Sequence, residues 1–364
     1  MLKRTSIAVL ATATILGGVI ASSPAKAGSV ADFYKDRDLT FLVGYSAGGS
    51  YGFYARLMAE HMSQYIPGKP NIIVQHMPGG GGSKAANYFY NVAPKDGSML
   101  AFLADAAPVA QLLRPKKMKY DIAKMTYIGS ITPVNPVIVV RRQAKARSIE
   151  ALKKIEIAIA CSGRGSQSYI MPAMLKHFLG FKWKQICGYK GSAPMTLALQ
   201  RGEVDAQSSA WISWKIRHFD AIQNGDLKPI VQVGLKREAD LPDLPLMQDL
   251  TDDADIKRIL EFVSSGSAIG RSIIAAPGTP KDRIAALRKA FDKTVKDPKL
   301  LAFAKKRNAI IDPTPGAEIQ KIALRALNTP KELVERAQAA TKAKTAKCVK
   351  NCKKKKKQSK KKQS

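Results

Sequence analysis

One local plan occurs twice in the sequence, and it restricts the possible folds more than any other feature. The two segments are TFLVGYSAGGSYGFYARLMAEHM, from Thr40 to Met62, and IEIAIACSGRGSQSYIMPAMLKHF, from Ile155 to Phe178. Each has the pattern of a β-strand, a Gly/Ser-rich turn and an amphipathic helix. Such a turn places free backbone N–H groups at a helix N-terminus, where partial positive charge favours an anion. Two such turns facing each other across a cleft would form a clamp for an anion.

Further β-rich runs alternate with helical periodicity along the chain. The runs predicted to be strands cover residues 39–43, 71–75, 98–103, 136–140, 156–160, 185–188 and 229–234. Strands that alternate with helices are typical of βαβ units. The sequence therefore predicts an α/β protein with mainly parallel sheets flanked by helices.

The first 27 residues have the order of a secretory signal peptide. Lys3 and Arg4 precede an apolar run from Ile7 to Ala21, and an A-x-A site ends at Ala27. The apolar run is shorter than the roughly 20 residues that a membrane span needs. We therefore expect export to the periplasm and cleavage after Ala27. About 310 residues remain before a basic tail, which is enough for two domains with their own cores.

The charge of the chain is strongly positive, with a formal value of +32. Twelve lysines lie between residues 342 and 362 and three basic residues lie in 1–27, which leaves +17 on residues 28–341. A basic body attracts anionic partners, and export argues against nucleic acid among them. We expect the Lys-rich segment 341–364 to be disordered. It would serve either for adhesion to an anionic surface or only as a solubilising appendage.

The four cysteines predict no metal site. Cys161 and Cys187 end or lie in apolar runs, and they are either a disulfide between neighbouring strands or buried free thiols. Cys348 and Cys352 lack both the C-x-x-C spacing and the histidines of a zinc site. The chain has neither a dinucleotide-binding G-x-G-x-x-G in its first turn nor a Walker sequence, so we expect no cofactor.

Gly44 to Gly48 match the nucleophile elbow G-x-S-x-G, which would make Ser46 the nucleophile of a serine hydrolase. Such an enzyme needs an oxyanion loop before the nucleophile strand, and Ser46 follows what is predicted to be the first strand. It also needs a histidine base, and the candidates lie in helical patterns or beside a glycine run. These histidines are His61, His76, His177 and His218. The sequence therefore favours a binding protein without catalytic residues.

An ordered series of motifs resembles the Bug family, the extracytoplasmic solute receptors of tripartite tricarboxylate transporters. The resemblance covers nearly all of residues 28–340. Its motifs are Gly48-Gly49-Ser50 with Tyr54-Ala55-Arg56-Leu57, His76-Met77-Pro78-Gly79-Gly80-Gly81-Gly82, Ala93-Pro94-Lys95-Asp96-Gly97, Ser162-Gly163-Arg164-Gly165-Ser166, Gly188-Tyr189-Lys190-Gly191, Arg201-Gly202-Glu203-Val204-Asp205, Leu241-Pro242-Asp243-Leu244-Pro245 and Ala276-Pro277-Gly278-Thr279-Pro280.

This resemblance implies a two-lobed "Venus flytrap" receptor of the type II periplasmic-binding-protein fold, which closes on a small carboxylate. The first turn of each lobe would hold the carboxylate. The residues expected to bind it are Ser46, Ala47, Gly48, Gly49, Ser50, Tyr51, Ser162, Gly163, Arg164, Gly165, Ser166, Gln167 and Ser168. The closed receptor, expected to be a monomer, would dock on a membrane permease of one large and one small subunit. Lobe 1 would combine residues 28–133 with 253–340, and lobe 2 would be residues 134–252.

Two positions depart from the family pattern. Gly52 stands where the family commonly has an aspartate, and Arg164 places a cation in a turn that usually has small residues. Both changes favour a ligand with at least one carboxylate over a free amino acid, unless Arg164 points to solvent. Aromatic residues near the turns either line the pocket or only pack: Tyr45, Tyr51, Tyr169 and Trp211. A hydrolase using Ser46, and an adhesion or sensory protein using the basic tail, remain the alternative functions.

Overall fold

The structure is a computed structural model that describes residues 29–342. The predicted signal peptide, Cys348, Cys352 and all but the first two residues of the Lys-rich segment lie outside the described residues. Within residues 29–342 the strands are β1 (Asp38–Val43), β2 (Asn71–His76), β3 (Met99–Phe102), β4 (Thr126–Ser130), β5 (Pro136–Arg141), β6 (Ile157–Cys161), β7 (Trp183–Cys187), β8 (Ala206–Ala210), β9 (Leu227–Gln232), β10 (Ser272–Ala275) and β11 (Thr314–Pro315).

Helices connect and cover these strands, as the alternating pattern of the sequence predicts. They are α1 (Val30–Tyr34), α2 (Ser50–Met62), α3 (Ser83–Asn91), α4 (Ala107–Leu113), α5 (Ile149–Lys154), α6 (Gln167–Leu179), α7 (Ser192–Gln200), α8 (Trp211–Gln223), α9 (Ala254–Ser264), α10 (Gly266–Ile269), α11 (Lys281–Thr294), α12 (Pro298–Lys306), α13 (Gly316–Leu327) and α14 (Lys331–Lys342). The predicted α/β class is confirmed.

Two separate sheets divide the strands into two lobes. The six-stranded sheet has the order β11-β4-β10-β3-β1-β2, and the part of the chain built on it is called the first lobe. The five-stranded sheet has the order β7-β6-β8-β5-β9, and the part built on it is called the second lobe. Both sheets place the strands before the two Gly/Ser-rich turns, β1 and β6, among parallel neighbours.

Both sheets are mixed, and most strands of each sheet run in the same direction, in agreement with the predicted mainly parallel sheets. β5 runs antiparallel to β8 and β9, and β10 runs antiparallel to β3 and β4. These two strands are the first that the chain enters after passing from one sheet to the other. No helical crossover within the same sheet leads into them, so nothing requires them to run parallel to their neighbours.

The two passages of the chain between the sheets lie side by side. The Arg271 carbonyl accepts a hydrogen bond from the Ile131 N–H at 2.9 Å, and the Arg271 backbone N–H donates to the Thr132 carbonyl at 3.0 Å. The Val134 N–H donates to the Ser267 carbonyl at 3.0 Å. Because these paired segments carry the main chain of residues 29–342 from one sheet to the other, they form the natural hinge between the lobes.

The apolar face of α2 fixes the first turn on its sheet. Tyr54, Met58 and Met62 are completely buried, and Leu57 is nearly so. Burying side chains of this size stabilises the fold by about 1.5–3 kcal/mol each. The start of α2 is therefore held rigidly at the carboxyl end of β1.

A disulfide fixes the corresponding place in the second lobe. Cys161 is the last residue of β6 and pairs in register with Cys187, the last residue of β7. The two Cα atoms are 4.4 Å apart, and the sulfur atoms are bonded. Of the two possibilities that the sequence left open, the structure therefore has the disulfide. It ties together the strand ends from which two loops of the second lobe emerge.

Candidate ligand-binding site

Three helix N-termini meet at a cleft between the lobes. α2 follows β1, α6 follows β6 and α7 follows β7, and the first residues of all three helices line a cavity of about 550 Å³ including its mouth. None of these three helix starts, all within the described residues, is capped by a side-chain hydrogen bond. Their first N–H groups are thus available to a ligand, and the three helix dipoles favour negative charge there.

The lobes touch around this cleft, so the structure represents a closed form. The Ser46 N–H of the first lobe donates to the Lys190 carbonyl of the second at 3.0 Å. A Cβ atom on Gly48 would lie 2.8 Å from Cβ of Ala193, closer than such atoms approach in proteins. The short separation at Gly48 shows that a glycine is needed there for the lobes to come together.

A cluster of hydroxyls from the second lobe forms one wall. The Ser166 hydroxyl donates to the Gly163 carbonyl at 2.8 Å and lies 2.8 Å from the hydroxyls of Ser162 and Ser168. The Ser168 hydroxyl also accepts from the Ser162 N–H at 3.1 Å. Since hydroxyl hydrogens rotate, these groups can turn from one another towards an anionic ligand.

Other polar groups at the cleft have no partner in the described part of the chain. They are Oγ of Ser208, Oγ of Ser213 and Oε1 of Gln167, all buried. A buried polar group without a hydrogen bond is unusual because losing water without compensation is costly. A ligand with hydrogen-bonding oxygens would satisfy the two hydroxyls.

The first lobe contributes a buried ion pair. Arg271 Nη1 lies 3.2 Å from Asp105 Oδ2, and Arg271 Nε and Nη2 donate to Ser50 Oγ at 3.1 and 2.9 Å. The guanidinium carbon lies 3.9 Å from the ring centre of Tyr51. This contact network fixes Ser50 at the start of α2, and Arg271 and Asp105 both face the cleft.

Burial controls the ionisation of these groups. It raises the pKa of the Asp105 carboxyl, and the Arg271 guanidinium opposes that shift. Burial also raises the pKa of the Tyr51 phenol, so the phenol stays neutral at pH 7. The Tyr51 hydroxyl accepts a hydrogen bond from the Asp105 N–H at 2.7 Å. The Tyr51 ring stacks on the Tyr45 ring, with ring centres 4.8 Å apart.

The structure brings together part of the site predicted from the sequence. The predicted residues that line the cleft are Gly49, Ser50, Tyr51, Ser162, Ser166, Gln167 and Ser168. Those outside the lining are Ser46, Ala47, Gly48, Gly163, Arg164 and Gly165. The glycines among them lie where the lobes approach, and the Arg164 guanidinium lies 5.6 Å from the ring centre of Tyr169. Contact of any of these residues with a ligand stays a prediction.

Of the aromatic residues considered, Tyr45 and Tyr51 line the cleft, whereas Tyr169 and Trp211 do not. The Tyr169 hydroxyl donates to the Thr341 carbonyl, and Trp211 Nε1 donates to Asp240. Both side chains are buried packing residues.

The cleft also contains residues that the sequence analysis did not predict to bind the ligand. They are Asp105, Pro136, Gly191, Ser192, Met195, Ser208, Ser209, Ala210, Ser213 and Arg271. Three of them share one position in the fold, although the sequence predicts no strand for their segment. Ser208–Ala210 end β8, which runs parallel to β6, so they reach the same sheet edge as the second Gly/Ser-rich turn.

Gly52 has a steric explanation. A Cβ atom at this position would overlap the carbonyl oxygen of Ala47. The turn before α2 is therefore folded too tightly to accept the aspartate that the family pattern has there. Gly52 itself does not line the cleft.

The surroundings of Ser46 do not resemble a catalytic triad. Its hydroxyl is buried, has no partner among residues 29–342 and lies beside Gly191. The nearby His76 instead places Nδ1 2.8 Å from the Tyr45 carbonyl.

Comparison with known proteins identifies the family. The sequence profile described as tripartite tricarboxylate transporter family receptor matches residues 54–338. The chain belongs to this receptor family. The resemblance based on sequence motifs is thus confirmed.

Two curated relatives agree with this assignment. The "UPF0065 protein in gbd 5'region" of Cupriavidus necator is 29% identical over 254 residues, which cover 66% of this chain and 72% of the relative. Protein BugT of Bordetella pertussis is 27% identical over 247 residues, which cover 65% of this chain and 72% of BugT.

Solved structures show the same fold. The periplasmic binding protein BugD superposes with a TM-score of 0.67 at 24% identity, covering 84% of this chain and 98% of BugD. MatC of Rhodopseudomonas palustris with bound malate gives 0.65 at 20% identity, covering 84% and 99%. An R. palustris protein with adipate also gives 0.65 at 20% identity, covering 84% and 98%. The two-lobed periplasmic-binding-protein architecture is confirmed.

Members of this family are substrate-binding receptors of the periplasm and not enzymes, so the hydrolase alternative is wrong. Among residues 29–342, no helix is long and apolar enough to cross a membrane. The same residues contain no cluster of three or more His, Cys, Asp or Glu side chains arranged to hold a metal ion.

Proposed function

We propose that the protein captures a small carboxylate between its lobes and delivers it to a membrane permease of one large and one small subunit. The observation that carries this proposal is the meeting of three uncapped helix N-termini with the unpartnered hydroxyls of Ser208 and Ser213. Such a site offers N–H and O–H donors to an anion without requiring a counter-cation. The malate and adipate bound by two structural relatives support a carboxylate ligand.

Closure provides the mechanism of capture. A carboxylate that contacts the starts of both α2 and α6 binds the closed form better than the open one, and so shifts the population towards closure. The grouping of strands into two sheets supports the predicted lobes, residues 28–133 with 253–340 and residues 134–252.

We further propose that the receptor is a monomer exported by a signal peptide that is cleaved after Ala27. Mass spectrometry of the exported protein would test the cleavage site.

A thermal-shift screen of the exported protein against mono-, di- and tricarboxylates and amino acids tests the ligand class. A ligand at about 100 times its dissociation constant should add roughly 2.7 kcal/mol of stability. A carboxylate that raises the midpoint supports the proposal. A folded protein that responds to no carboxylate contradicts it.

Two buried serines offer a matched pair of variants. Ser208→Ala removes a hydroxyl with no partner among the described residues, so it should leave the free protein as stable as before but weaken the ligand-induced shift. Ser264→Ala removes a hydroxyl outside the cleft that donates to the Leu260 carbonyl at 2.7 Å. It should destabilise the free protein by about 1 kcal/mol and keep the ligand-induced shift. If Ser208→Ala kept the ligand-induced shift and Ser264→Ala weakened it, the ligand would bind outside the cleft.

A further inference from the structure

A second cavity opens beside the ligand cleft. Ser192, Ser209 and Ser213 line both spaces, so the two cavities adjoin each other. The second cavity has a volume of about 550 Å³ including its mouth and lies between α7 and α8 of the second lobe. Its remaining lining consists of Ala193, Thr196, Leu197, Gln200, Trp214, Arg217 and His218.

This cavity is positively charged and contains no acidic side chain. Neither Arg217 nor the neighbouring Arg56 forms an ion pair with an acidic residue in the described part of the chain. Burial lowers the pKa of the Arg217 guanidinium, and the nearby Arg56 guanidinium lowers it further. Binding an anion stabilises a cation that lies close to a like charge.

Arg217 also lies where the two lobes meet. Its Nη1 atom is 3.9 Å from the position that a Cβ on Gly48 of the first lobe would take. An anionic group bound at Arg217 would therefore sit at the closing edge of the cleft. Ser213, whose hydroxyl has no partner among the described residues, lines both cavities.

We propose that the second cavity is the subsite for a second anionic group of the ligand, with Arg217 as the residue that selects for it. The ligand would then be an elongated dianion, such as a linear dicarboxylate, with one carboxylate at the helix N-termini and the other at Arg217. The inference rests on the proposed function, since the first carboxylate must bind in the cleft. The serines shared by the two cavities would line the path of the carbon chain.

Two comparisons test this subsite: dicarboxylates against monocarboxylates, and the wild type against Arg217 variants. Isothermal titration of the exported protein would use linear dicarboxylates from succinate to suberate and monocarboxylates of the same chain lengths. The wild type should bind its preferred dicarboxylate at least about tenfold more tightly than the matching monocarboxylate, the factor expected of one charge-assisted contact. Arg217→Gln should remove most of this preference and leave monocarboxylate affinity within about twofold. Arg217→Lys should restore part of the preference.

Arg258→Gln is the matched control because it removes another exposed arginine, which lies on α9 and lines neither cavity. It should keep the preference for dicarboxylates. If the wild type binds monocarboxylates as tightly as dicarboxylates, or if Arg217→Gln keeps the preference, the subsite is overturned while the receptor function stands. If the folded wild type binds neither series, the proposed function fails and the subsite fails with it.

Discussion

The two lobes build the same kind of turn but support it by different means. In the first lobe, the buried Arg271–Asp105 pair holds Ser50 at the start of α2. In the second lobe, the Cys161–Cys187 disulfide fixes the strand ends, and a cluster of serine hydroxyls shapes the turn before α6. An anion site at a helix N-terminus thus depends on the backbone being held in place, and more than one kind of interaction can hold it.

Neither of these two supports adds net charge to the anion site. The ion pair of the first lobe carries no net charge, and the hydroxyl cluster of the second lobe is neutral. The attraction of the cleft for the first carboxylate therefore comes mainly from helix dipoles and N–H groups in both lobes. Breaking the ion pair or the disulfide should lower ligand affinity, because the N–H groups at the helix start would no longer be held in place. The two changes should also lower the free energy of unfolding by different amounts.

The largest effect is expected from breaking the ion pair. Arg271→Ala leaves Asp105 buried without its cation, which should destabilise the protein by about 3–5 kcal/mol. Urea denaturation of the ligand-free protein would measure the loss. Arg271→Met combined with Asp105→Asn removes both charges and should be less damaging than Arg271→Ala. An unchanged denaturation midpoint for Arg271→Ala would show that the pair does not support the first lobe.

Breaking the disulfide should have the next largest effect. The bridge closes a sequence separation of 26 residues, and Cys161→Ala with Cys187→Ala should cost about 2–4 kcal/mol. Affinity for the ligand should also fall, because the loops that lead to α6 and α7 both leave from this bridge. Calorimetry and titration with and without dithiothreitol would measure both effects. Dithiothreitol should weaken the wild type and leave the double variant unchanged; equal sensitivity of both would assign the effect to other cysteines.

The smallest effect concerns contact between the lobes. Gly48→Ala would bring two Cβ atoms to 2.8 Å in the closed form, so it should hinder closure and lower ligand affinity by about tenfold. Neither Gly48 nor its neighbour Ala193 lines the ligand cleft. Adding Ala193→Gly removes the second Cβ and should restore most of the affinity. Failure of this second change to restore binding would mean that Gly48 acts through the conformation of its own turn.

Much of the fold could be predicted because its strands carry a strong local signal. Residues 136–140 are apolar and mostly β-branched, and they form β5 almost as predicted. β8 has the sequence AQSSA and gives no such signal, yet it occupies the centre of its sheet. Gln207 is accommodated there by a hydrogen bond with Thr196 at 3.0 Å. Tertiary packing, and not local propensity, makes this segment a strand.

The candidate site likewise contains residues that local sequence patterns predict and residues that they do not. The Gly/Ser-rich turns are visible in the sequence because each stands between a strand and a helix. Asp105 and Arg271 are separated by 166 residues and meet only through the order of strands in the first sheet. Ser208 was missed because it belongs to β8. Local patterns therefore predict the helix N-termini, whereas the groups that complete the cleft depend on sheet topology.

A crystal structure of the protein with its tightest carboxylate ligand would test the central claim most directly. We expect one carboxylate of the ligand between the lobes, accepting hydrogen bonds from N–H groups at the starts of α2 and α6 and from the Ser208 hydroxyl. A ligand that contacts only one lobe, or that lies outside the cleft lined by Ser50 and Ser166, would contradict the account.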